Sequence, residues 1–312
     1  MTHFTIVAAS PAEPCLNPEP VTFSNGSCSP KRALTIALLL FLFPFVLALH
    51  AQNNYEIQVY PSETIAPGTL LTELHSNYTV EGSTTTQFGM LPTQGQEHET
   101  IELTQGINKW SEVGFYIFTE EENGTGIQWV GDHIRPRVRA PESWHLPVGL
   151  SLSNEIGYAR AAYANPTWSW QIMPIVDQTL GKWYWSVNTT MNWGIHPTSL
   201  PPGASQQEIN YYYRDVSPHG VTFGPAATLT IQPDKYYNVG LEYYGYYGEF
   251  GHFVSLHNQQ QQFFPVVNLF VSPKWEINFG AGWGATASTD HLIVKCIIGH
   301  YFNWGMYHRK HR

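Results

Sequence analysis

The sequence predicts an all-β protein, an antiparallel transmembrane β-barrel of about 12 strands with short periplasmic turns and longer extracellular loops. Three observations lead to this fold class. Segments of about ten residues alternate apolar and polar side chains, the connections between them alternate in length, and aromatic residues stand at both ends of the apolar face. The composition agrees, because aromatic residues make up 14% of the chain and charged residues only 12%.

The alternation is clearest between Trp183 and Trp193, where Trp183, Val187 and Trp193 share one face and the polar Asn188 lies on the other. A period of two over this length indicates a strand with one apolar and one polar face. The predicted strands are 69–80, 98–106, 110–119, 126–139, 146–156, 166–176, 182–194, 221–231, 236–247, 262–271, 275–284 and 289–302.

The connections between these strands fall into two sets. One set is short, and the other is mostly longer and polar, with its longest members at 81–97, 195–220 and 248–261. Short turns at one rim and long loops at the other are typical of outer-membrane barrels. An even strand number leaves both chain ends on the side of the short turns.

The position of the aromatic residues decides between lipid and a soluble core as the surroundings of the apolar face. Trp183 and Trp193 stand at opposite ends of one strand, and Trp275 and Trp283 do so on another. Ten residues at about 3.3 Å each, tilted by about 40°, span roughly 25 Å, the height of the apolar band of such barrels. A soluble barrel or sandwich would more often place its largest aromatics centrally, so the pattern favours the outer membrane and its lipid.

The first 51 residues predict a leader that is removed on export. Lys31 and Arg32 precede the apolar run Ala33–Leu49, and Ala51 supplies a small residue at the cleavage point, as in a secretory signal peptide. A retained membrane anchor is the alternative, since the run is near the minimum spanning length. The long polar stretch before the run suggests a misassigned start codon. The remaining domains are a periplasmic N-terminal segment (52–68), the barrel (69–304) and a basic C-terminal tail (305–312).

Charge and cysteine content exclude several classes of function. The leader carries two basic and two acidic residues, so the formal charge of −9 is unchanged by its removal, and an acidic chain without basic runs argues against nucleic acid as a partner. Only Cys296 follows the cleavage point, which excludes an intrachain disulfide and a cysteine-based metal site. No cofactor and no metal site are expected.

Four segments carry a resemblance to a known family: Tyr55–Tyr60 (YEIQVY), Leu74–Asn77 (LHSN), Val130–Val138 (VGDHIRPRV) and Ser288–Lys295 (STDHLIVK). They resemble a family of uncharacterised Gram-negative outer-membrane barrels, itself similar to porin-like proteins associated with phenol meta-cleavage pathways. The resemblance covers roughly residues 55–304 and implies export, insertion by the barrel-assembly machinery and a location in the cell outer membrane. One departure is the tail, since such barrels usually end on an aromatic residue.

The strongest constellation of charged residues is on strand 126–139. Because Ile134, Pro136 and Val138 face outward, the candidate pore-lining residues on this strand are His133, Arg135, Arg137 and Arg139. Three guanidiniums on one wall predict an anion-selecting constriction. Inward carboxylates on neighbouring strands predict an ion-paired network instead, and the two interpretations are compatible. These carboxylates are Glu102, Glu112 and Glu155, and pairing across loop 120–125 is expected to place Glu112 near His133.

A second group of candidate pore-lining residues surrounds Lys295 on the last strand. Glu276 lies diagonal to it on the preceding strand, and Glu242 lies two strands further back. Asp177 and Lys182, which flank a short turn, are interpreted as rim residues.

The sequence favours a narrow, porin-like channel for small solutes. The alternatives are a non-conducting structural or adhesive barrel that works through its long loops and, less favoured, an outer-membrane phospholipase-like hydrolase. No G-x-S-x-G, H-E-x-x-H or P-loop motif occurs, so an enzyme is not expected. His300, predicted to face outward on the last strand, is interpreted as a rim residue.

Overall fold

The computed structural model describes residues 54–86, 89–122, 126–164, 166–196 and 220–303. Twelve long strands occur in these ranges, as the sequence predicts. They are β1 (Thr69–Glu81), β2 (Glu97–Asn108), β3 (Ser111–Glu122), β4 (Gly126–Arg139), β5 (Gly149–Ala159), β6 (Trp168–Leu180), β7 (Trp183–His196), β8 (Thr222–Asp234), β9 (Tyr237–Tyr246), β10 (Gln260–Leu269), β11 (Trp275–Gly284) and β12 (Leu292–Asn303). The leader (1–51) and the tail (305–312) lie outside the described residues.

The strands form one closed antiparallel sheet. Each strand pairs with the next along the chain, and β1 closes the barrel by pairing with β12, from Thr69 opposite Asn303 to Glu81 opposite Leu292. Closure pairs the backbone groups of the two terminal strands, which is the only sheet arrangement that leaves no open edge.

The apolar face points outward, as predicted. Ile134 and Val138 of β4 are 46% and 41% exposed, whereas the intervening Arg135 and Arg137 are 1% and 3% exposed. Trp275 and Trp283 at the two ends of β11 are also exposed on the outer face. An apolar outer band with terminal aromatics around a polar interior is the reverse of a soluble core.

The two rims of the barrel differ. Two-residue turns at 109–110, 181–182 and 235–236 lie at the rim that we call the short-turn end, where Thr69 and Asn303 also pair. The opposite rim, the long-loop end, carries connections such as 82–96 and 247–259, the latter with a small hairpin in which Gly248–Glu249 pairs with His252–Phe253. Among the described residues, no helix has the length and apolar character needed to cross a bilayer.

The segment before β1 lies inside the barrel. We expected residues 52–68 on the periplasmic side, but Ile57 and Tyr60 are 2% and 5% exposed and contact inward-facing side chains of several strands. The segment enters at the short-turn end, where the Gly68 amide donates to the Gly106 carbonyl. A side chain at position 106 would collide with the Ala66 carbonyl oxygen, so glycine permits this close approach.

Candidate functional site: the lumen and the segment that crosses it

The lumen segment, residues 54–68, is held at the long-loop end by Asn54. Its side-chain amide donates to Asp290 at 2.7 Å, and its carbonyl accepts a 2.8 Å hydrogen bond from Asn77. Tyr55 continues the attachment, because its carbonyl accepts from Thr100 at 2.7 Å. Satisfied backbone groups of this kind allow an extended segment without secondary structure to lie buried.

The middle of the lumen segment is fixed on two opposite sides of the barrel. Lys295 of β12 donates to the Ile57 carbonyl at 2.9 Å. On β7, Asn188 accepts from the Tyr60 amide at 2.7 Å and donates back to the Tyr60 carbonyl at 3.0 Å, while Ser186 donates to the same carbonyl at 2.8 Å. Asn188 and Ser186 are fully buried. Tyr60 therefore crosses the lumen rather than lying along one wall.

Two arginines of β4, Arg135 and Arg137, lie against the ring of Tyr60. Arg135 donates to Glu102 at 2.7 Å, and its guanidinium carbon lies 4.2 Å from the centre of the Tyr60 ring. Arg137 pairs with Glu112 at 2.7 Å. The same guanidinium donates to two carbonyls of the lumen segment, Pro61 at 2.9 Å and Glu63 at 2.8 Å. Both arginines thus pair with carboxylates, as in a charge-paired structural network, although Nε and Nη1 of Arg135 and Nε of Arg137 have no hydrogen-bond partner.

Most of the remaining sequence-predicted residues form separate two-residue contacts outside this network. His133 contacts Glu155, and Lys295 binds Glu242 at 2.5 Å. Arg139 lies at the short-turn end, 3.6 Å from the exposed Glu142. Glu276 does not reach Lys295; it lies exposed near the same end and accepts from Tyr301. All ten residues point inward, while a pore-lining role for them stays a prediction.

The expectation that Glu112 lies near His133 is wrong. Glu112 lies opposite Arg137, and His133 lies opposite Tyr116. The strand β3 extends to Glu122, so the turn is shorter than expected, and a one-residue bulge follows Phe118. Together these shift the register by four residues, because each added strand residue and each bulge displaces the pairing.

The rim interpretation of Asp177 is also wrong. β6 extends to Leu180 and carries Asp177 into the barrel, where it is 7% exposed. Its carboxylate accepts from the Ser62 amide at 2.8 Å, the Ser62 hydroxyl at 2.6 Å and the Tyr184 hydroxyl at 3.0 Å. Sequence reasoning missed Asp177, Ser186 and Asn188 because their partner, the lumen segment, was expected elsewhere.

Two cavities flank the lumen segment. The first has a volume of about 350 Å³ and lies beside residues 55–60, against strands β3 to β10. Its lining combines aromatic residues with amides and hydroxyls, and its only acidic or basic members among the described residues are Glu56 and His133. The second, about 460 Å³, lies at the short-turn end beside Ser62 and Asp177. In the described parts of the chain no residue lines both cavities, and the lumen segment passes from the first, at Tyr60, to the second, at Pro61.

One cluster of side chains combines metal-ligating types. Glu73, His75 and Glu102 are buried together on β1 and β2, with one ligand atom from each within 4.8 Å of the others. No such cluster was expected from the sequence.

His300 lies on the outer face of β12, as predicted. Its ring packs 4.5 Å from Trp275 and 4.4 Å from Phe302, measured between ring centres. These contacts place His300 in the aromatic belt near the short-turn end.

Comparison with solved structures finds outer-membrane barrels. An outer-membrane channel from Pseudomonas putida F1 superposes with a TM-score of 0.52 at 10% identity, covering 79% of this chain and all of the other (100%). The chain shares the fold of that channel. The KdgM porin gives 0.48 at 4% identity, covering 74% and 99%, and Omp33 of Acinetobacter baumannii gives 0.39 at 9% identity, covering 75% and 98%. No model of a known protein family and no curated protein matches the sequence.

Proposed function

We propose that this protein is an outer-membrane channel that passes small uncharged solutes through the cavity beside the lumen segment. The observation that carries the proposal is the cavity itself: about 350 Å³, inside a closed barrel, beside a segment that leaves that side of the lumen unfilled. Its volume is at the lower end of the range for small-molecule sites. The apolar outer face with terminal tryptophans supports a location in the outer membrane.

The lining of the cavity supports an uncharged solute with both apolar and polar groups. Aromatic faces from Tyr55, Phe118 and Tyr244 pack against apolar parts of a solute, while Gln171 and Asn192 offer hydrogen bonds. His133 is paired with Glu155, and the described lining contains no lysine or arginine. An association with phenol meta-cleavage pathways, which the family resemblance implies, would fit a solute of this class and is part of the proposal.

Anion selectivity by the arginine wall is not part of this proposal. Arg135 and Arg137 are buried and paired with Glu102 and Glu112, and Arg137 also binds carbonyls of the lumen segment. A guanidinium whose charge is neutralised at 2.7 Å contributes little field to a cavity on the other side of Tyr60.

A non-conducting barrel is the second candidate function. It is favoured by the position of Tyr60, which stands between the two cavities and is hydrogen-bonded to β7. If that barrier is permanent, the long loops rather than the lumen would carry the activity.

The experiment that separates the two candidates is single-channel recording of the purified protein in a planar bilayer, combined with swelling of loaded liposomes. A channel gives discrete conductance steps with weak ion selectivity, and arabinose permeates faster than the arabinonate anion of similar size. An inserted, heat-modifiable barrel without steps or swelling would refute the channel and leave the non-conducting barrel.

A further inference from the structure

The cluster Glu73, His75 and Glu102 forms because of strand geometry. Glu73 and His75 are two positions apart on β1 and share its inner face, and Glu102 lies directly opposite Glu73 on β2. Their side chains are 2%, 0% and 1% exposed, respectively. Two carboxylates and one imidazole are thereby brought within 4.8 Å of one another, out of contact with water.

Neither ring nitrogen of the buried His75 has a hydrogen-bond partner. Its Nε2 atom lies 3.5 Å from Oε2 of Glu102, an oxygen that also lacks a hydrogen bond. Buried polar atoms without partners cost free energy, and native structures contain few of them. An imidazole aimed at an unpartnered carboxylate oxygen is the arrangement that a bound cation would satisfy.

Glu73 gives a second reason to expect a cation. Within the part of the chain that the structure describes, it forms no ion pair, and its carboxylate accepts a hydrogen bond of 3.3 Å from Gln58. A buried carboxylate requires a proton or a positive charge nearby. Arg135 pairs with Glu102 at 2.7 Å and lies 3.7 Å from Glu112, and among the described residues no ion pair joins it to Glu73.

Hydrogen bonds from neighbouring side chains orient the two carboxylates of the cluster, as outer hydrogen bonds do at metal sites. Oε1 of Glu102 accepts from Arg135 at 2.7 Å and from Thr104 at 2.6 Å, which leaves Oε2 directed towards His75. Gln58 of the lumen segment holds the carboxylate of Glu73. Ligating carboxylates are commonly held by such outer hydrogen bonds, which fix their orientation.

We propose that Glu73, His75 and Glu102 bind a divalent metal ion of the Zn²⁺ or Mn²⁺ class between β1 and β2. Imidazole combined with carboxylate oxygens suits first-row divalent ions. Ligands on one such ion stand about 3–4 Å apart given bonds of about 2.0–2.2 Å, so small side-chain rotations close the set. The bound ion would join β1 to β2 and, through Gln58, hold the lumen segment.

The test is metal binding by the full-length protein, purified through a tag without histidines and stripped with chelator. Zn²⁺ added alone should bind with one tight equivalent by calorimetry. Co²⁺ should bind at the same stoichiometry and show the visible absorption of nitrogen and oxygen ligands. Binding should weaken as pH falls, since protons compete for all three ligands.

Two variants and one control locate the ion. His75→Gln and Glu73→Gln should each weaken Zn²⁺ binding by on the order of 100-fold or more, since loss of even an outer partner costs 10- to 100-fold. The control His98→Gln removes a buried histidine of β2 whose ring nitrogens also lack partners but which is outside the cluster. It should bind Zn²⁺ as the unaltered protein does.

Several results would overturn the proposal. Absence of stoichiometric Zn²⁺ and Co²⁺ binding by the folded, unaltered protein would contradict the site, and so would binding by both cluster variants equal to that of His98→Gln. If neither variant inserts as a barrel, the Co²⁺ spectrum of the unaltered protein decides: a spectrum without imidazole nitrogen at one equivalent contradicts the site.

Discussion

Tyr60 and Asn188 exchange two hydrogen bonds across the lumen, one at 2.7 Å and one at 3.0 Å. The side chain of Asn188 replaces the backbone partner that an extended residue normally finds in a neighbouring strand. Because Asn188 is fully buried and belongs to the barrel wall, this contact fixes the lumen segment to that wall. It also separates the cavity beside Tyr55 from the cavity beside Ser62.

Replacing Asn188 with Leu should destabilise the protein. The substitution keeps the branched shape of the side chain but removes the acceptor of the Tyr60 amide and one of the two donors to the Tyr60 carbonyl, at a cost of about 1–3 kcal/mol. The free energy of unfolding from vesicles in urea measures this loss. Thr190→Val is the matched control, since Thr190 lines the cavity on the same face of β7, and a change within about 0.5 kcal/mol is expected there. Equal effects of the two variants would contradict a role of Asn188 as an anchor.

The arginines of β4 should differ sharply in their effect on stability. Arg137→Met leaves Glu112 buried beside a lost partner and removes two hydrogen bonds to the lumen segment, so a loss of about 3–5 kcal/mol is expected. Arg139→Gln breaks only a pair with an exposed carboxylate at the short-turn end and should cost about 0–1 kcal/mol. Similar unfolding free energies for the two variants would show that the network does not hold the segment.

The outward position of Val187 tests the membrane assignment. Val187 lies midway between Trp183 and Trp193 on the outer face and is 37% exposed. Arg at this depth should cost about 2–4 kcal/mol of folding free energy in lipid vesicles, whereas Tyr236→Arg in a turn at the rim should cost about 0–1 kcal/mol. A tolerated Val187→Arg would indicate that this face meets water rather than lipid.

The barrel could be predicted from the sequence because apolar and polar side chains alternate along its strands. Apolar Trp183, Val187 and Trp193 alternate with polar residues, and a one-residue error would expose the wrong face to lipid. The ends of the strands were harder to predict. β6 continues past its predicted end at 176, and because of this extension Asp177 lies inside the barrel. Turn length and bulges are set by local backbone geometry, which periodicity does not report.

The lumen segment could not be placed from the sequence. Its alternation over Tyr55–Tyr60 matches a short strand or an extended tail equally well, and its partners are scattered over the barrel. The four segments that carry the family resemblance nevertheless contain residues that hold the lumen segment in place. These residues are Tyr60, Asn77, Arg137, Asp290 and Lys295. Of these, Asn77, Arg137 and Lys295 bind backbone carbonyls of the lumen segment, and Asp290 binds Asn54.

The most direct test of the proposed solute path is to block the cavity beside the lumen segment. Ala226 of β8 lines it, and Cys296 on the outer face of β12 is first replaced by Ser, in a protein that starts at residue 52, so that the introduced cysteine is the one thiol. In Ala226→Cys, a bulky thiol reagent added during single-channel recording should abolish most of the conductance. The same reagent should leave Leu229→Cys, on the outer face of β8, unchanged. Unaltered conductance of a fully labelled Ala226→Cys barrel would contradict a path through this cavity.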